Sequence, residues 1–152
     1  MPHEFCVIIL EQTGATDIQA TIEKLLAPYQ IIDVANNIDP SKRWYTWEIG
    51  GRWSGVIHNA WQPDDPRLFG LPAADPLAAN VLPVRYLDHP LRCYAIVTPT
   101  GEWFDADMYE KKQWENKIIA LCQQFRQGLL VGVDCVILNY GLDNRSRGDL
   151  FV

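Results

Sequence analysis

The stretch best equipped for chemistry is WYTWEIGGRWSG, residues 44–55. A glycine pair can expose consecutive backbone N–H groups that together hold an anion. The guanidinium of Arg52, which follows the glycines, is a rigid fork of donors that suits a carboxylate or a phosphate. Tryptophan rings on either side can stack on a ring, a sugar or the guanidinium itself. The sequence therefore predicts a site for a small anionic or aromatic ligand, formed by Trp47, Glu48, Gly50, Gly51, Arg52, Trp53 and Ser54.

A purely structural interpretation fits the same stretch. A bulged hairpin needs glycine, and tryptophans more often fill a core than bind a ligand. In that case Arg52 would pair with a buried carboxylate, such as that of Glu48 or Asp105. The sequence leaves both interpretations open.

The common catalytic motifs GxGxxG, the Walker loop, HExxH and GxSxG are all missing from the sequence. Whether the protein is an enzyme therefore stays open. If it is one, we expect its acid or base to come from Glu48, His58 or Asp105, close to Arg52.

Residue spacing argues against a metal centre and against one nucleophile pair. His58 is followed by Asp64 and Asp65, but without a known ligand spacing, so the sequence predicts no metal site and no cofactor. Asp134 and Cys135 are neighbours in a predicted strand. Their side chains must point to opposite faces of the sheet, so they cannot cooperate.

Composition limits the class of partner. The 152 residues carry a net charge of −6, which argues against a nucleic-acid binder because phosphate contacts need a basic face. The apolar run at 5–10 is too short for a membrane span or a signal sequence. Four cysteines lie far apart in apolar runs, as is typical of reduced, buried thiols. We expect a single cytoplasmic domain, residues 1–152, with neither nucleic-acid nor membrane partners.

Hydrophobic periodicity predicts a β-α-β order at both ends of the chain. The predicted elements are a strand at 5–10, a helix at 15–28 and a strand at 29–35, then a strand at 93–98, a helix at 107–128 and a strand at 133–138. Two such units predict a ferredoxin-like α+β sandwich, in which split βαβ units place two helices on one face of an antiparallel sheet. Several of the strands are apolar on both sides, so something must cover the second face. Either the insertion covers it or a second copy of the chain does, as a homodimer.

Residues 36–92 form an insertion between the two units, with seven of the ten prolines and four of the six tryptophans. Residues 44–49 alternate as a strand does and are predicted to pair with 56–61 in a hairpin around GGRW. Residues 62–83 are predicted to be a Pro-rich loop, and a loop of that length is often a lid or a binding loop.

Two blocks of the sequence, WYTWEIGGRWSG and AIVTPTGEWFDAD, resemble a group of uncharacterised small bacterial and phage proteins. Those proteins share an IGGRW-x-G core and a later V-T-P-x-G-x-W stretch. The resemblance covers about 25 of the 152 residues and supplies no activity. It implies that the two blocks work together in the fold.

Two functions stay open at this point. The favoured one is a cytoplasmic binding or interaction module that uses the WEIGGRWSG hairpin, as a monomer or as a homodimer. The alternative is a small enzyme that acts on an anionic molecule held by Arg52 beneath the Pro-rich loop.

Overall fold

The apolar runs near both ends of the chain form the long strands β1 and β6 at the centre of the sheet, as their hydrophobicity predicts. The structure is a computed structural model that describes residues 2–11, 17–32, 40–58 and 77–137. Over these residues it is a mixed α+β fold with one six-stranded sheet and two α-helices. The elements in chain order are β1 (His3–Leu10), α1 (Ile18–Leu26), β2 (Trp44–Ile49), β3 (Val81–Pro83), β4 (Ala95–Val97), β5 (Trp103–Asp105), α2 (Lys111–Gln124) and β6 (Leu129–Ile137).

Strand β6 pairs with β1 on one edge and with both β2 and β3 on the other. The order across the sheet is β2-β6-β1-β4-β5, and β3 pairs with the first residues of β6. Strands β1 and β4 are parallel, and the other pairings between the described strands are antiparallel. In this register Glu48 lies opposite Asp134, which in turn lies opposite Phe5. The first residues of β1 therefore come close to the last residues of β2.

The two helices pack on opposite faces of the sheet. The even-numbered residues 6–10 of β1 belong to the core that includes α1, whereas the odd-numbered residues 5–9 belong to the core that includes α2. Side chains alternate along a strand, so these two cores lie on the two sides of the sheet, termed here the α1 face and the α2 face. The prediction of both helices on one face is not met, and the ferredoxin-like arrangement is not confirmed.

This three-layer arrangement explains why the central strands are apolar on both sides. Ile22 of α1 and Ile118 of α2 are both buried, one against each face. Ile57 and Leu82 from the insertion add to the core of the α2 face. The chain's own residues therefore occupy the sheet face that motivated the predicted homodimer. No described helix is long and apolar enough to cross a membrane.

The predicted strand at 29–35 is not formed over its described part. Gln30 makes only an isolated bridge with Trp44, and residues 33–35 lie outside the described residues. On the edge away from β1, strand β4 pairs with β5, which returns through a turn closed by a hydrogen bond from the Gly101 N–H to the Thr98 carbonyl. Gly101 has a φ of +90°, a conformation that glycine adopts freely, and such a short loop closes at low entropic cost.

The insertion contributes two strands, but not the predicted hairpin. Strand β2 forms as predicted, yet it pairs with β6, and residues 54–57 form turns instead of a partner strand. Residues 81–83, predicted to be loop, form β3 because Val81 and Leu82 are fully buried beside β6. The remainder of the predicted partner strand and most of the Pro-rich loop lie outside the described residues.

A β-bulge changes the side that the first tryptophan of β2 faces. The register of β2 against β6 shifts between Trp44 and Thr46. Trp44 therefore joins the α1-face core, where Trp47 also packs. Strict alternation would place Trp44 on the side of Thr46 and Glu48, and the extra residue of the bulge accounts for the difference.

Candidate functional site

A polar cavity of about 210 Å³ lies where β1, β6 and β2 run side by side. It is termed here the His3–Asp134 cavity, and it is lined by His3, Thr46, Trp47, Glu48, Asp134 and Val136. The register places Asp134 opposite Phe5, a residue of the α2-face core, so the carboxylate belongs to that face. The α2 face thus carries apolar side chains beneath the helix, and a histidine, a threonine and two carboxylates at this cavity.

Asp134 joins distant parts of the chain around this cavity. Its side chain is only 3% exposed. His3 Nδ1 lies 3.0 Å from Oδ1 and 3.2 Å from Oδ2, and the backbone N–H of Arg52 donates to Oδ2 at 3.0 Å. A buried carboxylate needs such donors, since its desolvation is otherwise costly. The turn after β2 and the start of β1 are therefore both tied to β6 through one side chain.

The two glycines are required by this geometry. Gly51 has a φ of +53°, and a Cβ at this position would lie 2.6 Å from Asp134 Oδ2 and 2.9 Å from Glu48 Oε1. Gly50 has a φ of +78°, and its Cβ would lie 2.6 Å from Asn80 Nδ2. Both positions therefore combine a left-handed backbone with a close approach that excludes a side chain. The glycines therefore have a structural role, at a tight turn and not in the predicted hairpin.

Asn80 fixes the other side of this turn. Its Oδ1 accepts a hydrogen bond from the Gly55 N–H at 3.1 Å, and its Nδ2 donates to Ser54 Oγ at 3.3 Å. Its backbone carbonyl also accepts from the N–H of Gly132 in β6 at 2.8 Å. Ser54, predicted to bind ligand, thus has a structural partner within the chain. The turn is held from both sides.

Arg52 is hydrogen-bonded to the described part of the chain through its backbone alone. Its side chain is exposed, and within the described part of the chain its guanidinium forms neither an ion pair nor a hydrogen bond. The predicted structural pairing with Glu48 or Asp105 is therefore not formed. Asp105 lies instead 3.9 Å from the Nε of Arg43 and accepts from the Trp103 indole N–H at 2.8 Å. Burial is the main cause that raises the pKa of Asp105.

The two tryptophans of the predicted site are separated. Trp47 packs against the α1-face core, whereas Trp53 packs against the α2-face core with its ring centroid 6.4 Å from that of Phe5. The turn after Ile49 breaks the alternation that would have kept them together. They do not form a joint stacking platform. The Trp53 indole Nε1 is buried and has no hydrogen-bond partner within the part of the chain that the structure describes.

Of the three acid-base residues expected near Arg52, the structure places one at the cavity. Glu48 is exposed and lies opposite Asp134 across the strand pair, a position where two like charges destabilise each other. His58 is buried, and its Nε2 lies 3.1 Å from the Ala78 carbonyl and 3.0 Å from that of Val81.

Sequence reasoning did not find the His3–Asp134 pair. These residues are 131 positions apart and meet only because β1 and β6 are antiparallel neighbours. The available signal was a single aspartate inside the otherwise apolar run VDCVIL, residues 133–138. The prediction that Asp134 and Cys135 face opposite sides is confirmed, since Cys135 lies in the α1-face core.

Wider comparisons add no further candidate. Comparisons of the chain with protein-family models, with curated proteins and with solved structures each gave no match. Across the described ranges, no group of three or more His, Cys, Asp or Glu side chains is arranged to hold a metal ion. The IGGRW block follows β2 at one edge of the strand order, and the VTPTGEW block spans the β4–β5 turn at the other, so the two blocks do not form one site.

Proposed function

We propose that this protein is a binding module that recognises a carboxylate group of a small molecule through Arg52, beside the His3–Asp134 cavity. The observation that carries the proposal is the difference between the backbone of Arg52, which is hydrogen-bonded, and its side chain, which is not hydrogen-bonded within the described ranges. Its backbone N–H is anchored on a buried carboxylate, while its guanidinium is exposed and unpaired among the described residues. Because the backbone of the turn is already fixed, only the side chain of Arg52 has to be ordered on binding, and a pre-organised backbone favours affinity.

The charges around the turn favour a carboxylate over a phosphate. Glu48 Oε1 and Asp134 Oδ2 both lie within 3 Å of the position that a Cβ on Gly51 would occupy, so two carboxylates flank this turn. A doubly charged phosphate is repelled more strongly there than a singly charged carboxylate. The anionic group is therefore expected at Arg52, with the remainder of the ligand extending toward the cavity.

An NMR titration with acetate tests this proposal, and inorganic phosphate serves as the comparison anion. The wild-type protein should show saturable shifts of the Arg52 side-chain Nε–H and of the Gly51 amide, with acetate binding more tightly than phosphate. The shifts should disappear in Arg52→Ala. Arg52→Lys should weaken binding because a lysine cannot form the two parallel hydrogen bonds of a guanidinium.

Arg85 offers a matched control because it is also an exposed arginine on a short turn, with its guanidinium 4.9 Å from the Tyr86 ring centroid. Arg85→Ala should titrate like the wild type. Equal shifts in the wild type and in Arg52→Ala would contradict the proposal, and so would non-saturating shifts at every arginine.

A small enzyme is the second candidate function, and one observation favours it, the histidine held by a buried aspartate at the cavity. The cytoplasmic location, homodimerisation and the resemblance to the bacterial and phage proteins stay predictions. The binding proposal needs none of them.

A further inference from the structure

We infer that the His3–Asp134 cavity is a hydrolytic site in which His3 is the general base and Asp134 is the residue that positions it. This inference goes beyond the proposed binding function, because it concerns proton transfer at His3 and not recognition at Arg52. It follows from the contacts of the imidazole ring, from the burial of its partner and from the polar lining of the cavity.

The hydrogen bonds of His3 determine which ring nitrogen is available. An ionised carboxylate can only accept, so the contact of 3.0 Å between Nδ1 and Asp134 Oδ1 requires the proton on Nδ1. In the neutral ring Nε2 then carries a lone pair and accepts protons. Nε2 makes no hydrogen bond to the residues that the structure describes. The histidine is thus held in the tautomer that a general base needs.

Burial of the two side chains fits these two roles. The Asp134 side chain is 3% exposed, whereas that of His3 is 29% exposed and lines the cavity. The aspartate is also fixed by the Arg52 N–H, so it cannot rotate away from the ring without losing that second bond. Catalytic histidines on unrelated folds share this arrangement, in which a buried carboxylate orients the imidazole that acts as the base.

A second histidine–aspartate contact in the chain shows what this arrangement adds. His89 Nδ1 also lies 3.0 Å from a carboxylate oxygen, that of Asp88. Those residues are adjacent in sequence, and the Asp88 side chain is 56% exposed. The pair formed by His3 and Asp134 instead joins two strands and has its carboxylate removed from water. His89 therefore serves as a matched control.

The reaction that this geometry supports is the hydrolysis of a carboxylic ester. As a water oxygen forms a bond to the acyl carbon, Nε2 takes one proton from that water, and Asp134 stabilises the resulting imidazolium. Collapse of the tetrahedral adduct breaks the bond from the acyl carbon to the alcohol oxygen, and the alcohol leaves with the proton from Nε2. The acid product loses its own proton to solvent. Its carboxylate matches the group proposed for Arg52, while the acidic lining disfavours phosphate esters.

Hydrolysis of 4-nitrophenyl acetate by the full chain tests the inference, with His3→Gln and His89→Gln as variants. Glutamine retains an N–H that can donate to Asp134 but has no basic nitrogen. We expect His3→Gln to lose on the order of 10²-fold in rate, the lower end of what a general base contributes. His89→Gln should retain the wild-type rate, and the wild-type reaction should be slower in D₂O. A His3→Gln rate within about twofold of the wild type would overturn the inference. So would an acylated His3 in the mass spectrum, which would make the residue a nucleophile.

The tautomer gives a second test that needs no substrate. Nitrogen-15 spectra of the neutral wild-type ring should show the proton of His3 on Nδ1, and Asp134→Asn should shift it toward Nε2. A wild-type ring with its proton on Nε2 would overturn the inference. The acetate titration of Arg52 is independent of these results, so failure of the base and failure of the binding proposal are distinguishable.

Discussion

The backbone N–H of Arg52 donates to Asp134 Oδ2 over 3.0 Å and joins residues that lie 82 positions apart in the sequence. The conformation of the GGRW turn therefore depends on the main chain of Arg52 and on the glycines before it, whereas the guanidinium is exposed. Structural and ligand-binding interpretations of the motif thus apply to different atoms of the same residue.

Gly51→Ala should destabilise the protein strongly. The left-handed backbone costs about 1–3 kcal/mol for a residue with a Cβ. The new Cβ would also lie 2.6 Å from the Asp134 carboxylate, and overpacking of this kind adds about 1–3 kcal/mol. Urea unfolding measures the sum. Gly55→Ala is the control, because Gly55 has a φ of +86° but no atom within 4 Å of its Cβ position. Equal losses in both variants would mean that the turn does not pack on Asp134.

Ile118→Ala should lower the free energy of unfolding by about 2–5 kcal/mol, because it leaves a cavity beneath α2 on one face of the sheet. Ile22→Ala should cause a loss of similar size on the other face, since Ile22 is fully buried beneath α1. The neighbouring Ile119 is 55% exposed, so Ile119→Ala should change stability by less than about 0.5 kcal/mol. Chemical denaturation compares the three variants. A neutral Ile118→Ala would contradict the three-layer fold.

Asp134→Ala should destabilise the protein by about 1–3 kcal/mol, because it leaves the partly buried N–H of Arg52 and the imidazole of His3 without their acceptor. Asp134→Asn keeps one acceptor oxygen and should lose less. Amide hydrogen exchange at Arg52 reports the same bond directly, and it should accelerate in Asp134→Ala. Unchanged exchange at that amide would show that the bond is not formed in solution.

The pH dependence of stability should include a contribution from Glu4. Burial, and then repulsion from Asp107, raise the pKa of Glu4 above its ordinary value of 4.5. The folded state then binds the proton more tightly than the unfolded state, so this residue makes stability fall as pH rises from about 4.5 through the raised pKa. Urea unfolding between about pH 4 and 7 should show a flatter profile for Glu4→Gln than for the wild type.

Asp107→Asn removes only the weaker of the two causes, so it should reduce the contribution of Glu4 without abolishing it. A wild-type profile that matches Glu4→Gln throughout would contradict the raised pKa.

The predictable parts of the fold are the elements whose own segment of sequence has a hydrophobic pattern long enough to identify them. Strand β1, helix α2 and strand β6 each show a hydrophobic pattern that is long enough to specify the element. Strand β3 has only three residues and becomes a strand through its contact with β6, a contact that no local pattern reports. Likewise, the sequence shows that both faces of β1 are apolar, but it does not show which elements cover them.

The candidate site was predictable only where its residues are close in sequence. The glycine pair and Arg52 were found because they form one motif. His3 and Asp134 come together through strand register, and Trp47 and Trp53 separate because a turn of positive-φ glycines intervenes. A spacing rule cannot capture either effect, since both depend on how the chain changes direction.

Thermal unfolding of Arg52→Ala beside the parent protein tests the central claim most directly. Because the variant retains the backbone N–H that binds Asp134, the midpoint should change by less than about 2 °C, as for a surface substitution. A fall of about 10 °C or more would contradict the account, because it would show that the guanidinium itself stabilises the fold as part of a buried ion pair.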